Sequence, residues 1–187
     1  MKNLKILLLC ALLPACSSAP VTFYTLSAQG SQAPARSSAI SVEVGPVTLP
    51  VYLDRPQLVL ADQSRRLTIL DQSRWAGPLP RMLAQTLADD ISRELGLSQV
   101  HAYPQASPYS SDYALSIDVR SLQGSPGQGV HLDAAWSMLQ AGRRVAQGRF
   151  VADEATRTDS IDALVAAHDR VLAAFAHTLA QAMLPLL

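Results

Sequence analysis

The order of two hydrophobic periodicities constrains the fold of this chain more than any other feature. Period-two runs, typical of half-buried strands, come first; a period-3.6 segment follows, then a second group of strands and a final helical segment. Blocks in this order predict an α+β fold, with a mainly antiparallel sheet and two amphipathic helices packed on one face. Residues 23–187 suffice for a single domain with a sizeable core.

The predicted strands cover short alternating runs on both sides of the first helical segment. They are 23–28, 40–50, 57–62, 65–71, 112–124, 129–140 and 144–154. Gly45-Pro46 predicts a bulge or an edge in the second run, and a loop holds Tyr103 and Tyr109. Ala141-Gly142-Arg143 joins the last two runs into a predicted hairpin.

The two predicted helices are 75–96 and 160–184. Leu83, Leu87 and Ile91 share one face of the first helix, and Gly96 suits its end. Thr158 or Asp159 is expected to cap the second helix.

The N-terminus reads as a lipoprotein signal peptide over residues 1–15. Lys2 and Lys5 precede a short apolar run, and the run is far below the ~20 residues that a membrane-spanning helix needs. Leu13-Pro14-Ala15-Cys16 looks like a bacterial lipobox, in which Cys16 is acylated and becomes the first residue. Residues 16–22 then form a lipidated tether, and the absence of an aspartate after Cys16 favours the outer membrane.

The cysteine count agrees with an acylated Cys16, and the charge distribution argues against a nucleic-acid-binding protein. Cys10 leaves with the signal, so Cys16 has no partner for a disulfide, and acylation would use its thiol. Both lysines leave as well, and the mature chain is slightly acidic with scattered charges. No basic face of the kind that nucleic-acid binding requires is present in the sequence.

Catalytic and metal motifs are not found in the sequence. The four histidines have no helical zinc-site spacing, and no HExxH, CxxC, GxSxG or phosphate-binding loop occurs. We therefore expect no metal, no cofactor and no catalytic residue, although a serine with His131 and Asp133 stays possible as a triad. His168 lies on the apolar stripe of the last helix and is expected to be a core or interface histidine with a hydrogen-bonded ring rather than a ligand.

The stretch VYLDRPQLVL stands out between two predicted strands. Tyr52, Asp54 and Arg55 are followed by Pro56, which restricts the backbone. Either Asp54 and Arg55 pair locally in a simple connection, or the loop is rigid and faces a partner, because Arg and Tyr are good interface anchors. Trp75 is expected to be a core residue or a partner-facing one.

Six stretches occur in order over nearly the whole mature chain. They are LPAC, FYTLSA, VEVGPVTLPVYLDRPQLV, RWAGPLPRMLAQTLADDI, DYALSIDVRSLQG and IDALVAAHDRVLAAFAHTLA. Together they resemble the PqiC/YmbA-type auxiliary lipoproteins of ABC-type transport systems. Gly77 departs from the acidic residue that this family favours after Trp-Ala.

The resemblance implies a non-enzymatic lipoprotein, anchored through Cys16 to outer-membrane lipids on the periplasmic face of a Gram-negative envelope. It would be the docking subunit of an envelope-spanning system that moves lipids or hydrophobic molecules and supports membrane integrity. An MCE-domain transport protein and further copies of the chain would be its partners, with Tyr52, Asp54, Arg55, Pro56 and Trp75 as partner-facing or structural positions. Two alternatives stay open: a periplasmic lipid-binding carrier and a lipid-anchored hydrolase.

Overall fold

A computed structural model describes residues 19–61, 66–104 and 110–187 of the chain. The predicted signal peptide, Cys16, residues 62–65 and Tyr109 lie outside these residues.

Strands and helices follow the predicted order, with one additional short strand at Val100–Ala102 that was not predicted. The elements are β1 (Thr22–Tyr24), β2 (Val42–Thr48), β3 (Gln57–Ala61), β4 (Leu67–Trp75), α1 (Leu79–Leu95), β5 (Val100–Ala102), β6 (Tyr113–Ser125), β7 (Gly129–Gln140), β8 (Arg143–Glu154) and α2 (Ile161–Met183). Short 3-10 turns occur at Val51–Leu53 and Leu184–Leu186.

The strands form two mixed sheets. The larger sheet has the order β5-β2-β6-β7-β8, with β2 parallel to both β5 and β6, and with β6, β7 and β8 antiparallel. The smaller has the order β1-β4-β3, with β1 parallel to β4. The α+β prediction is confirmed, and most of the strand pairing is antiparallel, but the strands form two sheets that each include parallel pairs. Long connections, including the one that contains α1, bring β5 and β6 back parallel to β2, as parallel pairing requires.

Both helices cover one face of the larger sheet and contact each other, as predicted. α1 packs on β2 and β5, whereas α2 packs on β7 and β8. Alternate residues of β6 and β7 point into this core, among them Leu115, Leu132 and Met138, and Phe150 of β8 stacks on Phe175 of α2 with ring centroids 4.9 Å apart. The intervening positions of the same strands are largely polar and partly or fully exposed to solvent.

The predicted hairpin and bulge are both confirmed. Gln140 pairs with Arg143, so the turn is the two residues Ala141 and Gly142. Their φ angles are 48° and 75°, as a two-residue turn with left-handed residues requires. The register of β2 against β6 shifts between Val44 and Val47, which places a bulge at Gly45-Pro46 inside the sheet.

Several predicted boundaries are wrong, among them the end of the strand predicted at 65–71, which extends to Trp75. Hydrogen bonds explain three of these differences. β1 ends at Tyr24 because the chain then leaves the sheet, and the N–H of Ser27 is bonded to a helix carboxylate. The first helix begins at Leu79, since Trp75 still belongs to β4 and its N–H donates to the Pro56 carbonyl. Ser160, not Thr158 or Asp159, caps α2, with its Oγ accepting from the Ala163 N–H at 3.1 Å.

Neither helix in the described ranges is long and apolar enough to cross a membrane.

Candidate functional site

The YLDRP stretch forms a loop fixed by its own backbone hydrogen bonds. The Leu53 N–H donates to the Pro50 carbonyl at 2.9 Å, and the Arg55 N–H donates to the Leu53 carbonyl at 2.8 Å. Leu53 is buried, whereas Asp54 is exposed. Pro56 leads directly into β3. The loop is therefore held at its base by a core residue and closed by short-range bonds.

The segment from Trp75 to Pro78 is bonded to this loop and to the first strand. The Trp75 N–H donates to the Pro56 carbonyl at 2.7 Å, and the Ala76 N–H donates to the Tyr24 carbonyl at 2.7 Å. Trp75 is only 6% exposed, so its indole is a core side chain. Pro78 then precedes α1 without a side-chain cap. Three separate parts of the sequence thus meet at one place.

A cleft of about 400 Å³ lies where these segments meet. Its lining residues are Asp54, Arg55, Pro56, Trp75, Ala76, Gly77, Pro78 and Leu79. Four of the five positions singled out in the sequence therefore share one surface feature. Tyr52 is not in the lining and packs, partly buried, against the hydrophobic core.

The electrostatics of the cleft are unusual in one respect. The Nε of Arg55 is shielded from solvent and has no hydrogen-bond partner. Asp54 is adjacent in sequence, but no ion pair links it to Arg55 in the described chain. The expectation that these two residues pair locally is therefore wrong. A buried guanidinium N–H without an acceptor is costly, which makes this group a candidate for an external partner.

Beneath the cleft, Trp75 contacts a buried histidine. The Trp75 and His168 rings meet edge-to-face with centroids 5.8 Å apart, and the His168 Nδ1 is 2.8 Å from the Leu164 carbonyl oxygen. Burial lowers the pKa of His168 because the charged ring would lose its hydration. The prediction of a core histidine with a satisfied ring is confirmed.

Two buried carboxylates hold the segment that follows β1. Asp90 of α1 accepts from the Gly30 N–H at 2.6 Å, and Asp169 of α2 accepts from the Ser27 N–H at 3.0 Å. Burial raises the pKa of both carboxyl groups, although the backbone donors partly oppose the effect. Residues 27–36, called here the N-terminal segment, are therefore fixed across both helices. The sequence reasoning did not single out either aspartate for this role.

The N-terminal segment makes further bonds to α1. The Ser31 N–H donates to the Glu94 carboxylate at 3.0 Å, and the Ala33 N–H to the Arg93 carbonyl at 2.9 Å. The second oxygen of Glu94 is 3.0 Å from the Nδ1 of His177 on α2. Glu94 thereby connects the segment with both helices.

The possible triad built on His131 and Asp133 does not form. The His131 Nδ1 lies 2.7 Å from an oxygen of Asp153 on the neighbouring strand β8. Asp133 instead accepts two hydrogen bonds of 2.8 Å from Arg149, which lower the pKa of its carboxyl group. Within residues 19–61, 66–104 and 110–187, no group of three or more histidine, cysteine or acidic side chains is arranged to hold a metal ion.

Comparison with known structures identifies the fold class defined by these elements. One crystal structure, of an uncharacterised protein, has a TM-score of 0.69 and 22% identity, covering 87% of this chain and 98% of that one. A DUF330 protein from Xanthomonas campestris has a TM-score of 0.68 and 20% identity, covering 87% and 94%. The chain therefore has the α+β fold seen in these proteins. A search of curated proteins gives no match.

Sequence comparison then gives the family. A family model described as ABC-type transport auxiliary lipoprotein component matches residues 24–180, and the chain belongs to this family. The resemblance stated from the sequence is confirmed, and so is a general role as a lipoprotein component of ABC-type transport.

Proposed function

We propose that this protein is an outer-membrane lipoprotein that docks the periplasmic end of an MCE-type, ABC-linked transport system for lipids or other hydrophobic molecules. It would act by position and shape, without catalysis, and so support membrane integrity. Family membership supports the transport role. The observation that carries the docking role is the cleft, because its lining combines apolar residues, two prolines among them, with an arginine whose Nε has no hydrogen-bond partner. Arginine is enriched among the residues that dominate the energetics of protein interfaces.

The position of the cleft fits docking close to a membrane. The Tyr24 carbonyl is bonded to Ala76 in the cleft lining, and β1 begins at Thr22. Thr22 is six residues after Cys16, a span of about 20 Å for an extended chain. A partner that reaches the cleft would therefore be held near the outer membrane by the acylated Cys16.

The packing favours docking over the carrier alternative. Large side chains that are almost fully buried, such as Phe175, Leu132 and Met138, occupy the space between the helices and the larger sheet. The grooves described by the structure, of about 560, 290 and 400 Å³, are open at the surface. A lipid carrier would need a deep apolar cavity that encloses most of its ligand.

Affinity purification from whole envelopes tests the proposal. The full chain carries a C-terminal tag and native Cys16, the membranes are extracted gently, and bound proteins are identified by mass spectrometry. We expect recovery of an MCE-domain protein, together with fractionation of the lipoprotein to the outer membrane. Cys16→Ala should abolish the fractionation and lower the recovery. Finding no MCE-domain protein with the native chain would contradict the docking role, and finding bound lipid instead would favour a carrier.

A further inference from the structure

The cleft holds a guanidinium that no ion pair of the described residues engages, although the Asp54 carboxylate lines the same cleft. Arg55 Nε is buried without a partner, and the ion pairs of the described residues involve other groups. Leu79, at the start of α1, lines the same cleft, and the first turn of this helix has no acidic residue. The uncapped helix start adds a weaker positive potential to that of the guanidinium. Because Asp54 also lines the cleft, it is the unpaired Arg55 guanidinium, and not the cleft as a whole, that favours an anionic group.

The rest of the lining limits what that group can belong to. Pro56, Trp75, Ala76, Pro78 and Leu79 are apolar, and the volume of about 400 Å³ is open to solvent. This is small for the acyl chains of a lipid but sufficient for a short stretch of polypeptide with one acidic side chain. Guanidinium and carboxylate groups also form paired, charge-assisted hydrogen bonds.

We propose that the cleft binds an acidic side chain of the docked transport protein, with its carboxylate on Arg55 and a neighbouring apolar side chain against Trp75 and Pro78. This proposal rests on the docking function and specifies the chemistry of the contact. Arg55 is partly exposed, so a carboxylate can reach its guanidinium. A turn of the side chain on binding would then give the shielded Nε the acceptor that it lacks, which removes a cost present in the free protein.

The absence of lysine after Cys16 allows a direct test. Lys2 and Lys5 are the only lysines of the sequence, and both precede Cys16. Arg55→Lys therefore introduces a unique side-chain amine, which a carbodiimide couples only to a carboxylate in contact with it. Asp54→Asn is combined with this change to remove the adjacent carboxylate. Arg143→Lys, at the start of β8, is the matched control.

The expected result is a covalent link between residue 55 and an aspartate or glutamate of the co-purified MCE-domain protein, located by mass spectrometry, with no link from residue 143. Recovery of that protein without a link from residue 55 would overturn the inference and leave the docking function intact. Failure of the native chain to recover it would overturn both. Phospholipid retained by the native protein and lost in Arg55→Gln would assign the cleft to a lipid phosphate instead, and would also overturn the inference.

A second pair of variants tests the cleft without a cross-linking reagent. A Cβ on Gly77 would meet only Met82, at an ordinary contact distance of 3.9 Å, so a side chain fits there. Gly77→Glu places a carboxylate in the cleft, where it would compete for Arg55, whereas Gly77→Gln has the same size without the charge. We expect about tenfold weaker recovery of the partner with Gly77→Glu and with Arg55→Gln, and near-native recovery with Gly77→Gln. Equal recovery with the two Gly77 variants would contradict the inference, and unchanged thermal unfolding would show that both fold.

Discussion

Asp90 illustrates how much a single residue contributes to the path of the chain. It lies on the buried side of α1, has no exposed surface and accepts a hydrogen bond from the Gly30 N–H. A carboxylate in this position is costly by itself, as the raised pKa shows, yet the backbone donor needs an acceptor there. Asp90 therefore fixes the position of the N-terminal segment through its acceptor oxygen and not through its charge.

Replacing Asp90 tests this account. Asp90→Ala leaves the Gly30 N–H without an acceptor and should lower the free energy of unfolding by about 1–3 kcal/mol. Asp90→Asn keeps an acceptor oxygen without the buried charge and should retain most of the stability. Denaturant unfolding of the two variants measures the difference. Equal losses would mean that the charge, not the acceptor, matters.

His168 predicts a pH dependence of stability. Its pKa in the folded protein lies below the ordinary value of 6.5, so the unfolded chain binds more protons in the window between the two. The stability that the neutral ring contributes is therefore present above pH 6.5 and is lost as the pH falls through that window, by up to about 1.4 kcal/mol per pH unit. Asp90 and Asp169 have raised pKa values and act in the opposite direction, because their contribution to stability grows as the pH falls toward 3.8.

The contribution of His168 is isolated by comparison with His168→Gln, whose amide can still bond the Leu164 carbonyl. The free energy of unfolding is measured for both proteins from about pH 7.5 to about pH 5.5. We expect the native protein to lose more stability than the variant over this range. Parallel curves would show that protonation of His168 is not coupled to unfolding.

At the scale of the residue, the sequence contains a signal for the two buried carboxylates, Asp90 and Asp169. Asp90 follows Leu83 by seven positions and Leu87 by three, which places it on the apolar side of α1. Asp169 follows Val165 by four positions in the same way. A carboxylate on an apolar stripe indicates a buried partner, but the sequence does not reveal that the partner is a backbone N–H 60 residues away for Asp90 and 142 residues away for Asp169.

The N-terminus of α2 gives a test at the scale of an element. Ser160 Oγ accepts from the Ala163 N–H, so Ser160→Ala should lower the free energy of unfolding by about 1 kcal/mol. Ser160→Asp retains a cap and adds a favourable interaction with the helix dipole, so it should be close to native. Thermal unfolding compares the two. A full loss with Ser160→Asp would show that the hydroxyl has a role other than capping.

The helices and strands were predicted well because their patterns are local. The pairing of the strands within the sheets was not predicted. Alternation identified β6, β7 and β8, and the 3.6 periodicity identified both helices, because each depends on residues close in sequence. The same alternation does not distinguish a parallel neighbour from an antiparallel one. β2 reads as an ordinary amphipathic strand, yet the long connections after it determine that β5 and β6 lie beside it in parallel.

At the scale of the whole molecule, the arrangement of the cleft could not be predicted from the sequence. Arg55 and Trp75 were both singled out, but their proximity depends on the hydrogen bond between Trp75 and Pro56 in the smaller sheet. That sheet was not predicted as a separate unit. Without it, the two motifs remained unconnected features of a loop and a helix.

A whole-molecule prediction separates docking from catalysis. His131 pairs with Asp153 on the exposed side of the larger sheet, and a groove of about 290 Å³ there also includes Ser125. Under the docking proposal, the double variant His101→Ala, His131→Ala should support envelope integrity as well as the native chain, measured as resistance to membrane-active detergents in a deletion strain. Loss of resistance, with normal protein level and partner recovery, would favour the hydrolase.

The bonds of the N-terminal segment have a mechanical consequence. Any pull on a lipid anchor at Cys16 passes through β1 and then into residues that are bonded to α1 and α2 at Asp90, Glu94 and Asp169. The helices would therefore share such a load with the sheet. Under the docking proposal, a domain bonded this firmly to its own N-terminal segment would keep the cleft at a nearly constant height above the membrane.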